Sequence, residues 1–335
     1  MRPLFSVAKP VVVFIVLVSC TLYPSRCVGQ AWTPPRGEGE YATVFQDLYT
    51  AKHTLGDGSR VDAGHVSLLG LVNSVDVGIT DRLAVTAAVP LGMGIYNGRT
   101  PHLLPIDDGN FHGGLQDFGI GVRYNLISRH LMLTPFVLST LPMTHYQHFA
   151  HSAIGSDAWE FRMGFTAGQR LQNHFRNAYF QVAYSYSIAE EFMNIRPNRH
   201  RFNAEFGYFV TRRLAVRVLS LSQFMTTGLN IPNDYPVRTP TNPLWQQHDR
   251  ISKVDFFDVG GGLSYGLTPT INIFGSLLTM PWGTNGHALK TGASVGISWS
   301  FHTPWARPRL PDRLVSNSQT WQAQLNQPPQ MQCAH

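Results

Sequence analysis

Charge is scarce in this chain. Lys, Arg, Asp and Glu make up 14% of its 335 residues, against ~25% in ordinary soluble domains. Contact between one face of most elements and an apolar medium would account for the deficit. Long apolar runs are missing as well. Beyond residue 18 nothing approaches the ~20 uninterrupted apolar residues of a spanning helix, which excludes a helical membrane protein. Three cysteines occur; Cys20 and Cys27 lie near the start and Cys333 at the far end, so no internal disulfide framework is available. The formal charge of +6 is not gathered into a basic run, and nucleic acid is not an expected partner.

What is present begins with an export signal. Arg2 and Lys9 precede the apolar run Val11 to Val18, too short to span a bilayer but the right length for a secretory core. Residues 1–29 read as a signal peptide cut after Gly29. A second reading stays open: Leu17-Val18-Ser19-Cys20 resembles the lipobox of bacterial lipoproteins and would leave Cys20 acylated.

The rest of the chain alternates with period two. Leu83, Val85, Ala87, Val89, Leu91, Met93 and Ile95 form one face; Ala84, Thr86, Ala88, Gly92, Gly94 and Tyr96 form the other. Phe118 to Leu126, Ala178 to Ile188 and Phe202 to Val210 repeat the pattern. Each ladder is near the ~9 to 11 residues of a tilted spanning strand. Tight links at 80–82, 127–130, 172–177, 211–213 and 266–270 alternate with longer ones at 56–60, 98–114, 145–157, 189–201, 226–250 and 281–287. This predicts an all-β, transmembrane, antiparallel up-and-down barrel of about twelve strands with both termini periplasmic. Tyr124, Tyr208, Tyr265 and Trp299 would form the periplasmic aromatic girdle. Pro90, Pro142 and Pro281 each remove a ladder donor and should mark a bulge or a strand exit.

Ser294 to Phe301 closes the pattern with Val295, Ile297, Trp299 and Phe301 outward. It resembles the C-terminal recognition signal of bacterial outer-membrane barrels, carried here by Gly296, Trp299 and Phe301. That implies outer-membrane lipid as surroundings and the barrel-assembly machinery as a partner. Gly78-Ile79-Thr80-Asp81-Arg82-Leu83, Gly119-Ile120-Gly121-Val122-Arg123-Tyr124, Leu131 to Pro142 and Gly266-Leu267-Thr268-Pro269 resemble the bacterial outer-membrane family associated with the meta-pathway of phenol degradation. Coverage would run from about Gly37 to Phe301. The resemblance implies a barrel that passes small hydrophobic or aromatic solutes; it offers no catalytic motif, and no cofactor is expected.

The domain plan is therefore a signal peptide (1–29), a short N-terminal periplasmic segment (30–37), the barrel (38–301) and a disordered periplasmic tail (302–335). Asp76, Asp117, Arg123, Glu160, Arg162, Glu205, Arg217, Asp258 and Lys290 occupy inward positions. They either line a permeation path or neutralise one another in a filled lumen. Phe111, Tyr146, Phe149 and Trp159 are candidates for an outer-loop vestibule or an ordinary girdle. His145, His148 and His151, spaced by three, are the candidate metal ligands, with His102 and His112 in a second loop.

Three function classes remain. The leading one is an outer-membrane channel for small, largely hydrophobic or aromatic solutes working by passive diffusion. The second is a non-transporting barrel that anchors envelope partners through its tail. The third is an outer-membrane hydrolase, for which no Ser-His motif stands out. Only about eight residues separate Gly29 from the first predicted strand, so no N-terminal plug is expected; any plug should come from an outer loop, foremost residues 226–250.

Overall fold

The computed structural model describes residues 31–98, 106–128, 131–171, 175 and 177–306. Residues 1–29, expected to be a signal peptide, and residues 307–335 of the expected tail lie outside this set, so the Cys20 question is untouched. Twelve long strands follow one another: β1 (Glu38–Thr54), β2 (His65–Gly78), β3 (Leu83–Asn97), β4 (Asp117–Tyr124), β5 (Leu131–Pro142), β6 (Glu160–Leu171), β7 (Ala178–Ala189), β8 (Arg199–Phe209), β9 (Leu214–Met225), β10 (Asp255–Gly266), β11 (Ile271–Thr284) and β12 (His287–His302). Each pairs antiparallel with its sequence neighbours, and β12 returns to β1 from His302↔Glu38 to His287↔His53. The sheet closes into a barrel, with β11 and β12 paired from Ile271↔Trp299 to Leu278↔Gly292.

Alternation decides which side chains go where. On β1, Tyr41 and Phe45 are exposed on the outer wall while Ala42 and Val44 are buried inside. Inward glycines mark where large rings fill the interior: a Cβ on Gly296 would overlap the Phe274 ring, and one on Gly207 the Tyr179 ring. The lumen is thus packed in the manner of a narrow barrel core.

Three short turns share one device. Thr80 Oγ1 accepts the N–H groups of Arg82 and Leu83 (3.2 and 2.9 Å). Thr211 does the same for Arg213 and Leu214 (3.1 and 3.0 Å), and Thr268 for Thr270 and Ile271 (3.2 and 3.0 Å). A hydroxyl serving two turn amides reverses the chain without a long loop. At the opposite end the links are longer, and the 226–254 link carries two single-turn helices, α1 (Pro243–Gln246) and α2 (His248–Ile251).

Two boundaries differ from expectation. The last long-end link is a two-residue turn, Asn285-Gly286, with Asn285 at φ 55°; β11 continues through Pro281 instead of ending there. Strand β8 begins at Arg199, inside the stretch expected to be loop. Proline behaves as its chemistry demands: the β10–β11 register shifts opposite Pro281, and the partner of β3 is interrupted beside Pro90, whose carbonyl accepts Gln116 N–H at 3.0 Å.

Candidate functional site

The interior divides into three levels. At the short-turn end, Arg123 from β4 forms a buried ion pair with Asp76 from β2. Glu205 from β8 meets Arg217 from β9 at 3.5 Å, both side chains fully buried, and Tyr179 donates its hydroxyl to the same carboxylate. Each pair brings opposite charges together in the interior; removing one partner would strand the other.

Into this level runs the N-terminal segment. Ala31 is fully buried; its N–H donates to Gln181 Oε1 at 3.4 Å and its carbonyl accepts Thr134 Oγ1 at 2.6 Å. Trp32 packs edge-on against Tyr179 (6.3 Å between centroids, 85°), and its carbonyl accepts from Arg123 Nη1 at 3.5 Å. Gly168 has no room for a side chain because Ala31 and Trp32 lie against it. This corrects the expectation that no N-terminal segment enters the barrel: residues 31 and 32 lie in the lumen. Seven residues from 31 to 37 suffice because an extended residue reaches ~3.3 Å.

Midway, Leu219 and Leu278 pack together with Leu221 and Leu289 at their flank, and Ala42, Val44 and Phe274 form a second apolar cluster. Above them stands Glu160, held by Arg201 (2.6 Å), Arg199 (2.7 Å) and Arg162 (2.8 Å). Arg201 also donates to Gln223 (3.2 Å) and Ser187 (3.0 Å). Asp258 is buried on β10.

The long-loop mouth is covered by folded loops. Tyr146 donates to Asp117 at 2.6 Å and accepts Asp157 N–H at 2.9 Å; burial, then the bond to Asp117, pushes its phenol well up, so it stays a donor. Arg250, from α2, donates to the carbonyls of Ser156 (2.6 Å) and Asp157 (2.8 Å) and to Asp157 Oδ2 (3.2 Å), stitching the 226–254 loop onto the 143–159 loop. Phe149 is buried edge-on against His248, 5.7 Å between centroids. His151 stacks on Tyr96 of β3 (4.4 Å, 13°) and lies beside His53 and His287.

Of the expected inward charges, Asp76, Asp117, Arg123, Glu160, Arg162, Glu205, Arg217 and Asp258 face the interior. Lys290 does not: it is exposed with Nζ 5.8 Å from the Tyr49 ring, whose hydroxyl bonds His65 on the outer wall. Register shifts between Tyr49, Thr50 and Lys52, opposite it on β1, break the alternation there. The expected vestibule is dispersed, because Tyr146 and Phe149 fold inward while Phe111 and Trp159 are exposed. The metal set is dispersed too. His145 is exposed against Asp157, His151 is buried elsewhere, and no metal-binding group of His, Cys, Asp or Glu exists among the described residues. His102 lies outside them, and His112 pairs with Asp108 at 2.8 Å. Gly296, Trp299 and Phe301 sit on the closing strand β12, the two rings 6.3 Å apart. Arg199, Arg201, Tyr179, His53 and His287 were missed by sequence reasoning; Arg201 and Glu205 share a period-two inward face, which was the available signal. Outside the barrel, a 590 Å³ apolar hollow is lined by Phe165, Val182, Tyr184, Phe202, Ala204 and neighbouring serines.

No protein-family model matches the chain, and no curated protein matches it in sequence. Solved structures do share its shape. An outer membrane channel from Pseudomonas putida F1 superposes with a TM-score of 0.64 at 12% identity, over 82% of this chain and 99% of that one. The β domain of the Bordetella autotransporter BrkA gives 0.45 at 13% identity (79% and 100% covered). The CymD monoaromatic hydrocarbon channel gives 0.41 at 10% identity (80% and 90% covered). The first similarity shows a common barrel fold; at these identities nothing finer follows.

Proposed function

We propose that this chain is an outer-membrane channel through which small, largely apolar or aromatic solutes diffuse passively, here in a closed state. The observation that carries the reading is how the interior is shut. A wall with an apolar outer face encloses a lumen obstructed at one end by residues 31 and 32 and at the other by the 143–159 and 226–254 loops, all held by side-chain contacts that can be broken without opening the barrel. Obstruction by separable segments is how a gated pore is built. The barrel shape shared with an outer membrane channel of Pseudomonas putida supports the same reading. The short-turn end is then periplasmic, and the apolar patch at Leu219 and Leu278 is where a hydrophobic solute would rest.

Uptake into proteoliposomes of the refolded protein tests this, comparing a small phenol with a sugar of similar size and subtracting leakage into empty liposomes. Uptake of the phenol alone supports the reading; uptake of both indicates a general pore. Uptake of neither by folded barrel, at acid as well as neutral pH and with the Trp32→Ala variant as well as the wild type, overturns it. One finding favours a second reading, a non-transporting envelope anchor: the buried ion pairs Asp76–Arg123 and Glu205–Arg217 occupy the lumen with charges of opposite sign.

A further inference from the structure

We propose that His53, His151 and His287 form a proton-operated latch that holds the 143–159 loop in the barrel mouth at neutral pH and releases it in acid. The gate served by this latch rests on the channel reading above; the latch itself does not.

Three distant segments supply the imidazoles. His53 lies near the end of β1, His287 opens β12, and the two are register partners. His151 descends from the loop onto them. Ring centroids are 4.5 Å apart for His53 and His287, 4.8 Å for His53 and His151, and 6.0 Å for His151 and His287. On its other side His151 stacks on Tyr96, whose hydroxyl donates to Ala63 O at 2.8 Å and fixes the ring. The loop is therefore clamped between wall residues of β1, β3 and β12.

Among the described residues, the carboxylate of Asp107 faces the clamp. Asp107 accepts the backbone N–H groups of His151 and Ser152 (both 3.1 Å) and the Ser152 hydroxyl (2.7 Å), and its Oδ2 is 3.5 Å from His151 Nδ1. A first proton on His151 would strengthen that contact. A second and third, on rings so close, repel the first and one another, and imidazole ordinarily titrates near ~6.5. Rings that stack when neutral are driven apart when charged, and His151 is the member on a loop that can leave. Because the clamp tolerates one proton, release requires more than one. Its pH dependence is steeper than that of a single histidine.

Two readouts on the full chain test this. Hydrogen exchange of the peptide containing His151 and Ser152, corrected for the intrinsic pH effect, is compared at about pH 7.5 and about pH 5; conductance across planar bilayers is followed over the same interval. Both should rise in acid, the exchange by at least about tenfold, with a slope above one proton. The double variant His53→Gln with His287→Gln keeps planar side chains but cannot titrate, and should flatten the response to one proton or fewer. His148→Gln, elsewhere in the loop, should leave it steep. A wild-type loop indifferent to pH, or a steep response surviving in the double variant, overturns the latch. Should the double variant misfold, His287→Gln alone decides by the same loss of steepness. Loop release without conductance, persisting when Trp32→Ala also loosens the segment at the other end, leaves the latch standing and sinks the channel reading; pH-dependent conductance with an unchanged loop does the reverse.

Discussion

Arg201 Nη1 and Glu160 Oε1 meet at 2.6 Å inside the barrel, and the same carboxylate is shared with Arg199 and Arg162. Three guanidinium groups on one carboxylate leave positive charge in excess. Asp117, toward the mouth, is engaged by Tyr146. Glu160→Gln would leave three cations without their shared counter-charge and is expected to cost about 3–5 kcal/mol, read as a lower urea midpoint for the folded barrel. Arg199→Gln removes one of the surplus cations and should cost far less while shifting the reversal potential of the open channel away from anions. An unchanged reversal potential would mean that ions do not pass this level.

The N-terminal plug hangs on few contacts. Thr134→Ala deletes the 2.6 Å hydrogen bond to the Ala31 carbonyl and should weaken docking by about 1 kcal/mol, roughly a fivefold shift toward the undocked segment. Trp32→Ala also loses the packing on Tyr179 and should shift it further. Both variants are expected to show more frequent channel openings with barrel stability unchanged. Equal closure in both would relocate the obstruction to the loops.

The barrel was legible because alternation and link length are local properties. The count of strands and eight of nine inward charges follow from period two. What stayed hidden depends on contacts between distant segments. Nothing in Ala31-Trp32-Thr33-Pro34-Pro35 announces a lumen plug, since its partners Thr134, Gly168, Gln181 and Tyr179 come from three strands. Lys290 was misplaced because a register shift in the neighbouring strand breaks the alternation. The spacing of His145, His148 and His151 suggested one site, yet only His151 reaches imidazoles, and those come from β1 and β12.

His148 gives the loop a separate, shallower pH dependence. Burial pushes its imidazole below the ordinary value, and Arg250 acts in the same direction against the weaker pull of Asp157 and Asp249. The released loop then binds a proton more readily than the docked one. Docking is fully favourable above the ordinary histidine value and weakens as pH falls from there toward the lowered value. His148→Gln should remove a slope of no more than one proton from the exchange of the 143–159 loop, and a larger loss would assign the steep component to this residue.

A seam in the wall offers the last test. Strands β11 and β12 stop pairing at Leu278↔Gly292, although β11 runs on to Thr284 beside β10 and β12 begins at His287 beside β1. Side chains bridge the unpaired stretch: Arg60 Nη2 donates to the carbonyls of Met280 (2.7 Å) and Pro281 (3.0 Å), and Thr279 Oγ1 donates to Lys290 O at 2.9 Å. A charged donor to a carbonyl contributes about 1.5–3 kcal/mol, so Arg60→Ala should speed amide exchange by roughly 10- to 100-fold in residues 279–291. Thr279→Val, losing a neutral bond, should change it by less than about tenfold. Exchange in β5 to β8, on the far side of the barrel, should be untouched in both. Acceleration throughout the barrel would show that Arg60 supports closure as a whole, and no acceleration would show that the seam is held by the turn at Asn285-Gly286 alone.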